Sequence, residues 1–243
     1  MEQTIGTQVN WAPDFILVPQ GAEYQAVCRG LTRVNPPKPL VVPIPVGPKP
    51  VTRYLERWQE TGHSLNTPQP RVLLVGLCGS LSPDYKIGDI VLYQDCVYAS
   101  NPSGKLLQTC NGDLTSWLHH KLKDKASLVR AITSDRLIYS VDEKRQLGQM
   151  YGADVVDMEG FAVSEILKKA GVAVAMLRVI SDNCQHNIPD LSSALSSDGS
   201  LQTLPLAIGL LRQPLAATRL ILGALRGLKV LQDVTTFLLT EQQ

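Results

Sequence analysis

Seven apolar stretches of strand length recur along the chain: FILV at 15–18, LVVPIPV at 40–46, RVLLVGL at 71–77, DIVLYQDCVYA at 89–99, LVRAIT at 128–133, VVDM at 155–158 and VAVAMLRVIS at 172–181. Several are apolar at both odd and even positions, so both faces of the sheet they form must be buried. Only a sheet covered by helices satisfies that pattern. Pro43 and Pro45 cannot donate to a strand ladder, which places 40–46 at an edge or in an irregular strand.

Helical segments fall between the strands. One starts around Pro50, with Tyr54, Leu55 and Trp58 on one side. Another opens with Ser140 and Glu143 at capping-box spacing and continues through Leu147 and Met150. A third runs from about Gly160 to Ala170, with Phe161, Val163, Ile166 and Leu167 apolar, Lys168 and Lys169 in its last turn, and Gly171 to end it. Residues 100–115 and 183–203 read as surface loops. The alternation of strands and helices predicts an α/β fold, in which ligands sit beyond the carboxyl ends of strands.

A net charge of +1 removes the electrostatic argument for a nucleic-acid partner. Five scattered cysteines without a C-x-x-C pair, and four histidines in polar surroundings, predict neither a disulfide framework nor a metal site. The opening residues MEQTIGTQVNWAPD lack the basic and apolar regions of a signal peptide, and a cytoplasmic location is expected. The apolar stretch near the C-terminus is interrupted by Arg212, Arg219 and Arg226, so it cannot span a bilayer unaided.

Acids recur where the strands end. Glu23 follows 15–18, the glycine-containing VGLCGS (75–80) follows 71–75, Asp135 follows 128–133, Asp157 and Glu159 close 155–158, and Asp182 closes 172–181. Each has a bland reading. VGLCGS fits a tight strand-to-helix turn, Asp157 and Glu159 fit a helix N-terminus, Asp182 with Asn183 fits a turn, and Cys78 fits an apolar filler. Their order along one rim is what points to a site.

In that order and spacing the residues resemble the purine nucleoside phosphorylase and 5′-methylthioadenosine/S-adenosylhomocysteine nucleosidase superfamily. The matching pieces are VLLVGLCGSLSPDYKIGDIVLYQDCVY (72–98), AITSDRLI (131–138), VVDMEGFAVSEILKKAGV (155–172) and LRVISDN (177–183). The resemblance implies a single-domain three-layer αβα fold over 15–200, with a mixed central sheet, a polar segment at 1–14 and a helical extension at 201–243. It implies cleavage of the N-glycosidic bond of a purine nucleoside, with no cofactor other than inorganic phosphate if the reaction is a phosphorolysis. A homo-oligomer is implied as well. Asp182 matches the acid at N7 of the base, Glu159 the acid that grips the ribose hydroxyls, and Met158 the side chain beneath the sugar. Glu23 is the nearest candidate to activate a water. Leu137 and Ile138 match positions flanking the base, with Leu137 standing where the nucleosidases carry an aromatic. Gly76, Cys78, Gly79 and Arg178 match the nucleophile or anion site.

Bacterial hexameric phosphorylases carry an Arg before the glycine segment and a Ser within it to hold phosphate. Leu74 and Leu77 stand at those places here, which favours hydrolysis, since a dianion needs charge-assisted donors. A phosphorylase, with Arg178 compensating, and a non-catalytic storage protein are the alternatives. The tail IPDLSSALSSDGSLQTLPLAIGLLRQPLAATRLILGALRGLKVLQ (188–232) is similar to the extension of the hopanoid-associated phosphorylase subgroup, linked to adenine release from a nucleoside attached to a hopane lipid. From Pro214 on, Leu220, Ile221, Ala224, Leu225, Leu228 and Leu231 share one helical side, and Arg219, Arg226 and Lys229 another. That arrangement suits packing on the domain or a subunit, or contact with a membrane surface.

Overall fold

The computed structural model describes residues 12–60, 69–99, 106–194, 196, 198–200 and 202–240. Most of the polar segment 1–14 and part of the region read as a loop at 100–115 lie outside those residues. In chain order the elements are β1 (Phe15–Pro19), α1 (Ala22–Leu31), β2 (Leu40–Ile44), α2 (Pro48–Glu60), β3 (Arg71–Ser80), β4 (Ile90–Tyr98), β5 (Leu107–Thr109) and α3 (Gly112–Leu122). They continue with β6 (Ala126–Thr133), α4 (Val141–Tyr151), β7 (Val155–Asp157), α5 (Gly160–Lys169), β8 (Ala173–Asp182), α6 (Thr203–Arg212) and α7 (Pro214–Leu239).

The strands form one mixed sheet in which β2, with its Pro43, is the edge and, among the described residues, pairs with β1 alone. The sheet also closes on itself. β3 runs parallel to β8, β8 antiparallel to β4, β4 parallel to β6, β6 parallel to β7, and β7 antiparallel to the end of β3. Past a register shift between Cys78 and Gly79, Gly79 pairs with both Asp182 of β8 and Val156 of β7, and Ser80 pairs with Val155 of β7.

Burial alternates as the sequence demands. On one face Leu17, Val72, Leu74, Val174 and Met176 pack with Leu55 of α2 and Val163 and Leu167 of α5. On the other, Ile16, Val18, Leu73, Val75, Ala175 and Leu177 pack with Val27 of α1, Leu118 of α3 and Leu231 and Val234 of α7. Each large apolar side chain so buried contributes ~1.5–3 kcal/mol of transfer free energy. The second half of α7 thus belongs to the core, and Gly30 of α1 lets the two helices touch: a Cβ there would stand 2.6 Å from the Gln232 carbonyl.

Several local expectations change. The region read as a loop at 100–115 contains β5 and the start of α3, where the Asn111 side chain caps Leu114 N at 2.9 Å. A three-residue strand is too short to show a period, and an N-cap Asn looks like a turn residue. Ser140 and Glu143 form no capping box. Asn187 Oδ1 accepts from Val141 N at 2.8 Å instead, Glu143 pairs with Arg136, and Met150 is exposed. The glycine segment 75–80 is no turn either, because β3 continues through Ser80.

Candidate active site

Arg178 stands at the centre of the site, fully buried on β8. Its Nη2 donates to Asp157 Oδ2 at 2.8 Å and to Glu159 Oε2 at 3.1 Å. Asp157 ends β7 and is held from three sides: Thr133 Oγ1 donates to its Oδ1 at 2.6 Å, and Gly160 N lies 3.1 Å from its Oδ2. Glu159 occupies the N-cap position of α5 and accepts from Gly47 N at 3.2 Å through its other oxygen. β6, β7 and β8 and the start of α5 therefore fix one guanidinium between two acids. Burial works against the charge on Arg178, but Asp157 and Glu159 outweigh it and hold the group above its ordinary range.

A third carboxylate approaches from α1. Glu23 Oε1 accepts from Leu77 N at 2.6 Å. A Cβ on Gly76 would collide with Arg178 Nη1 and lie 2.7 Å from that same Glu23 oxygen, so the glycine makes room for both groups. Burial first, then repulsion from Glu159, pushes Glu23 up to about 7, with Arg178 opposing. Burial likewise raises Glu159, again against Arg178. Arg178 Nε and Nη1 have no hydrogen-bond partner among the described residues, so the guanidinium keeps donors to offer beside Glu23.

Asp182 ends β8 beyond this cluster. A Cβ on Gly79 would stand 2.9 Å from its Oδ2, and Ser181 Oγ donates to its Oδ1 at 2.9 Å. Lys144 of α4 is fully buried and ion-pairs with Asp182, and its Nζ also donates to the Asn183 carbonyl at 3.0 Å. A cavity of about 360 Å³ lies between Asp182 and α7, lined among others by Ile87, Asn183, Ile188, Leu222 and Arg226.

The geometry brings Glu23, Glu159 and Arg178 into contact through shared partners, with Gly76 and Gly79 as the space that accommodates them. Met158 is half-buried between Asp157 and Glu159. Leu137 is half-buried, whereas Ile138 packs into a small cluster with Leu81, Val97 and Tyr151. Cys78 is buried in the core, and burial pushes its thiol far up, which suits a filler and not an anion ligand. Asp135 leaves the rim: it is exposed and accepts from Tyr98 OH at 2.6 Å. Leu74 lies in the core, and Leu77 packs towards Gly227 of α7. Asp157 stands among the strand-end acids that the sequence places on the rim but carries no assigned role there, and Thr133, Gly47 and Lys144 join the site unannounced. Asp157 had the signal of an acid at a strand end. A lone lysine on a polar helix had none.

A closed mixed sheet with helices on both faces is a fold shared with solved nucleosidases. Helicobacter pylori 5′-methylthioadenosine/S-adenosylhomocysteine nucleosidase superposes with a TM-score of 0.62 at 18% identity, over 90% of this chain and 96% of that one. The Campylobacter jejuni nucleosidase of the same name gives 0.60 at 13% identity, over 91% and 99%. The chain belongs to the phosphorylase superfamily, whose family model matches residues 69–202. Two curated relatives, both aminodeoxyfutalosine nucleosidases of Helicobacter pylori, are 29% and 30% identical over 131 residues, or 48% of this chain. The chain spans 57% of the length of those relatives. Glu23 and Gly47 lie outside the family match but meet its residues in space.

Proposed function

We propose that the protein hydrolyses the N-glycosidic bond of a purine nucleoside, a 5′-substituted adenosine of the methylthioadenosine, adenosylhomocysteine or adenosylhopane type. The observation that carries the reading is the charge of the buried cluster: Glu23, Asp157 and Glu159 surround the single guanidinium of Arg178. Asp157 and Glu159 already pair with that cation, and Glu23 adds negative charge as it ionises, so the cluster opposes a phosphate dianion and suits a neutral water. Leu74 and Leu77 add no donor to change that balance.

In this reading Glu23, held near 7, takes a proton from water as the water attacks C1′. The sugar passes through an oxocarbenium-like state that nearby carboxylates stabilise. Glu159 accepts from the ribose hydroxyls, with Met158 under the sugar. Asp182 delivers a proton to N7, so the base departs neutral. A proton-transfer group of this kind contributes ~10²–10⁴-fold. A protein that only stored nucleosides would gain nothing from a carboxylate raised to neutrality, and the names of the relatives as nucleosidases agree with catalysis.

The test is incubation with methylthioadenosine, adenosylhomocysteine, adenosine and inosine, with and without inorganic phosphate. Free adenine in phosphate-free buffer supports the proposal. Release that requires phosphate would make the protein a phosphorylase, and nucleoside binding without release would make it a binding protein.

A further inference from the structure

Twelve large apolar side chains are exposed among the described residues, and seven of them fall between Leu204 and Leu225. Leu204, Ile208 and Leu211 belong to α6, a helix with no buried residue. Leu215, Ile221, Leu222 and Leu225 belong to the first half of α7, whereas Leu231, Val234 and Leu238 of its second half pack on the domain. The second half of α7 is thus anchored in the core, and the first half, which touches β8 at Gly223, leaves these four apolar side chains exposed. The apolar side expected to pack as a unit is divided between the two.

The charge around this bare surface has one sign. Between Asp198 and Asp233 the sequence contains no acid, but it contains Arg212, Arg219, Arg226 and Lys229. Lys229 pairs with Asp233 at 2.9 Å. The three arginines are exposed, with no ion pair among the described residues. On α7, Leu215, Leu222 and Leu225 share one face by helical spacing, and Arg219 and Arg226, seven residues apart, border it.

We infer that α6 and the first half of α7 form a docking face for an anionic lipid surface. The leucines enter the boundary between headgroups and acyl chains, and the arginines meet lipid phosphates. The inferred contact is peripheral: among the described residues no single helix is long and apolar enough to span a bilayer, and α6 and α7 reach that length and composition only together, bent by 119°. A second copy of the chain fits less well, since a two-fold interface sets a patch against itself and would bring its arginines together uncompensated. Arg219, Leu222 and Arg226 also line the cavity that reaches Asp182, so docking sets one wall of that cavity at the lipid surface.

The test is co-sedimentation of the full chain with vesicles of phosphatidylcholine alone, and of phosphatidylcholine mixed with an equal part of phosphatidylglycerol. Binding to the mixed vesicles is expected to exceed binding to the neutral ones on the order of a hundred-fold at low salt, given three arginines near the surface, and to weaken at high salt. Leu222→Glu with Leu225→Glu is expected to abolish binding. Arg219→Gln with Arg226→Gln is expected to cut the preference for anionic lipid to roughly five-fold, the share of Arg212 alone. These side chains are exposed, so circular dichroism and melting temperature should stay unchanged in both variants. Equal binding to both vesicles, no binding, or a dimer in solution that the leucine variant splits into monomers would each overturn the inference.

Discussion

Lys144, in the first turn of α4, is fully buried against Asp182 at the end of β8, and the two residues, 38 apart in sequence, join the two elements. In the proposed reaction this ammonium is the neighbour from which Asp182 draws the proton it hands to the base. Lys144→Met is expected to lower kcat by ~10–100-fold, because Asp182 then has no proton-bearing neighbour. Removing one partner of a buried pair also costs ~3–5 kcal/mol of stability, which thermal melting would show. A loss of stability with kcat unchanged below the melting temperature would make the lysine purely structural.

Glu23 gives a pH dependence with a definite sign. Its carboxyl is raised from 4.5 to about 7 in the folded protein. Between those values the folded state holds a proton that the unfolded chain has released, so this group's contribution to stability falls as pH rises through the window. As a base, however, it works only when ionised. Glu23→Gln is therefore expected to lose ~10²-fold or more in hydrolysis and to gain ~1–3 kcal/mol in stability at about pH 8, with little gain near pH 4.5. Denaturant titrations at both pH values check the second half. A variant destabilised at both would contradict the assignment of Glu23 as a strained base.

The glycines of β3 are expected to matter through space. Gly76→Ala puts a methyl into Arg178 and Glu23, and Gly79→Ala puts one 2.9 Å from Asp182 Oδ2. Each should cost ~1–3 kcal/mol as overpacking and most of the activity. Gly112→Ala on α3, where nothing lies within 4 Å, is the control and should be neutral or stabilising by roughly 0.5–1 kcal/mol. Equal effects at Gly76 and Gly112, measured by melting and base release, would mean that the close approach is not what the site requires.

Glu159→Gln should raise KM and lower kcat together for ribosides, since an amide neither neutralises Arg178 nor accepts as strongly from a hydroxyl. A 2′-deoxyriboside already lacks a partner hydroxyl and should lose much less. Equal losses on the two substrates would remove the ribose from Glu159.

The strands of this fold were legible because their apolar residues must satisfy two helical layers at once, and Leu73 and Leu74 indeed face opposite clusters. The acids at strand ends were legible for the same reason: Asp157 and Asp182 interrupt apolar runs where only a site or a turn tolerates charge. What stayed hidden depends on distance across the fold. The glycines at 76 and 79 look like turn residues in one dimension, and their purpose appears only when Glu23, Arg178 and Asp182 arrive from α1 and β8. The closure of the sheet follows from a register shift in β3 that no period records. Lys144 looked like any charge on an exposed helix face, because a partner 38 residues away leaves no local trace.

The central claim is that water, not phosphate, attacks C1′ beside Glu23 and Arg178. The direct measurement is turnover of an adenine nucleoside in heavy-oxygen water containing inorganic phosphate, with the sugar product analysed by mass spectrometry. The account predicts a free sugar carrying one solvent oxygen at C1, formed at the same rate with or without phosphate. A sugar 1-phosphate without solvent oxygen at C1 would contradict it.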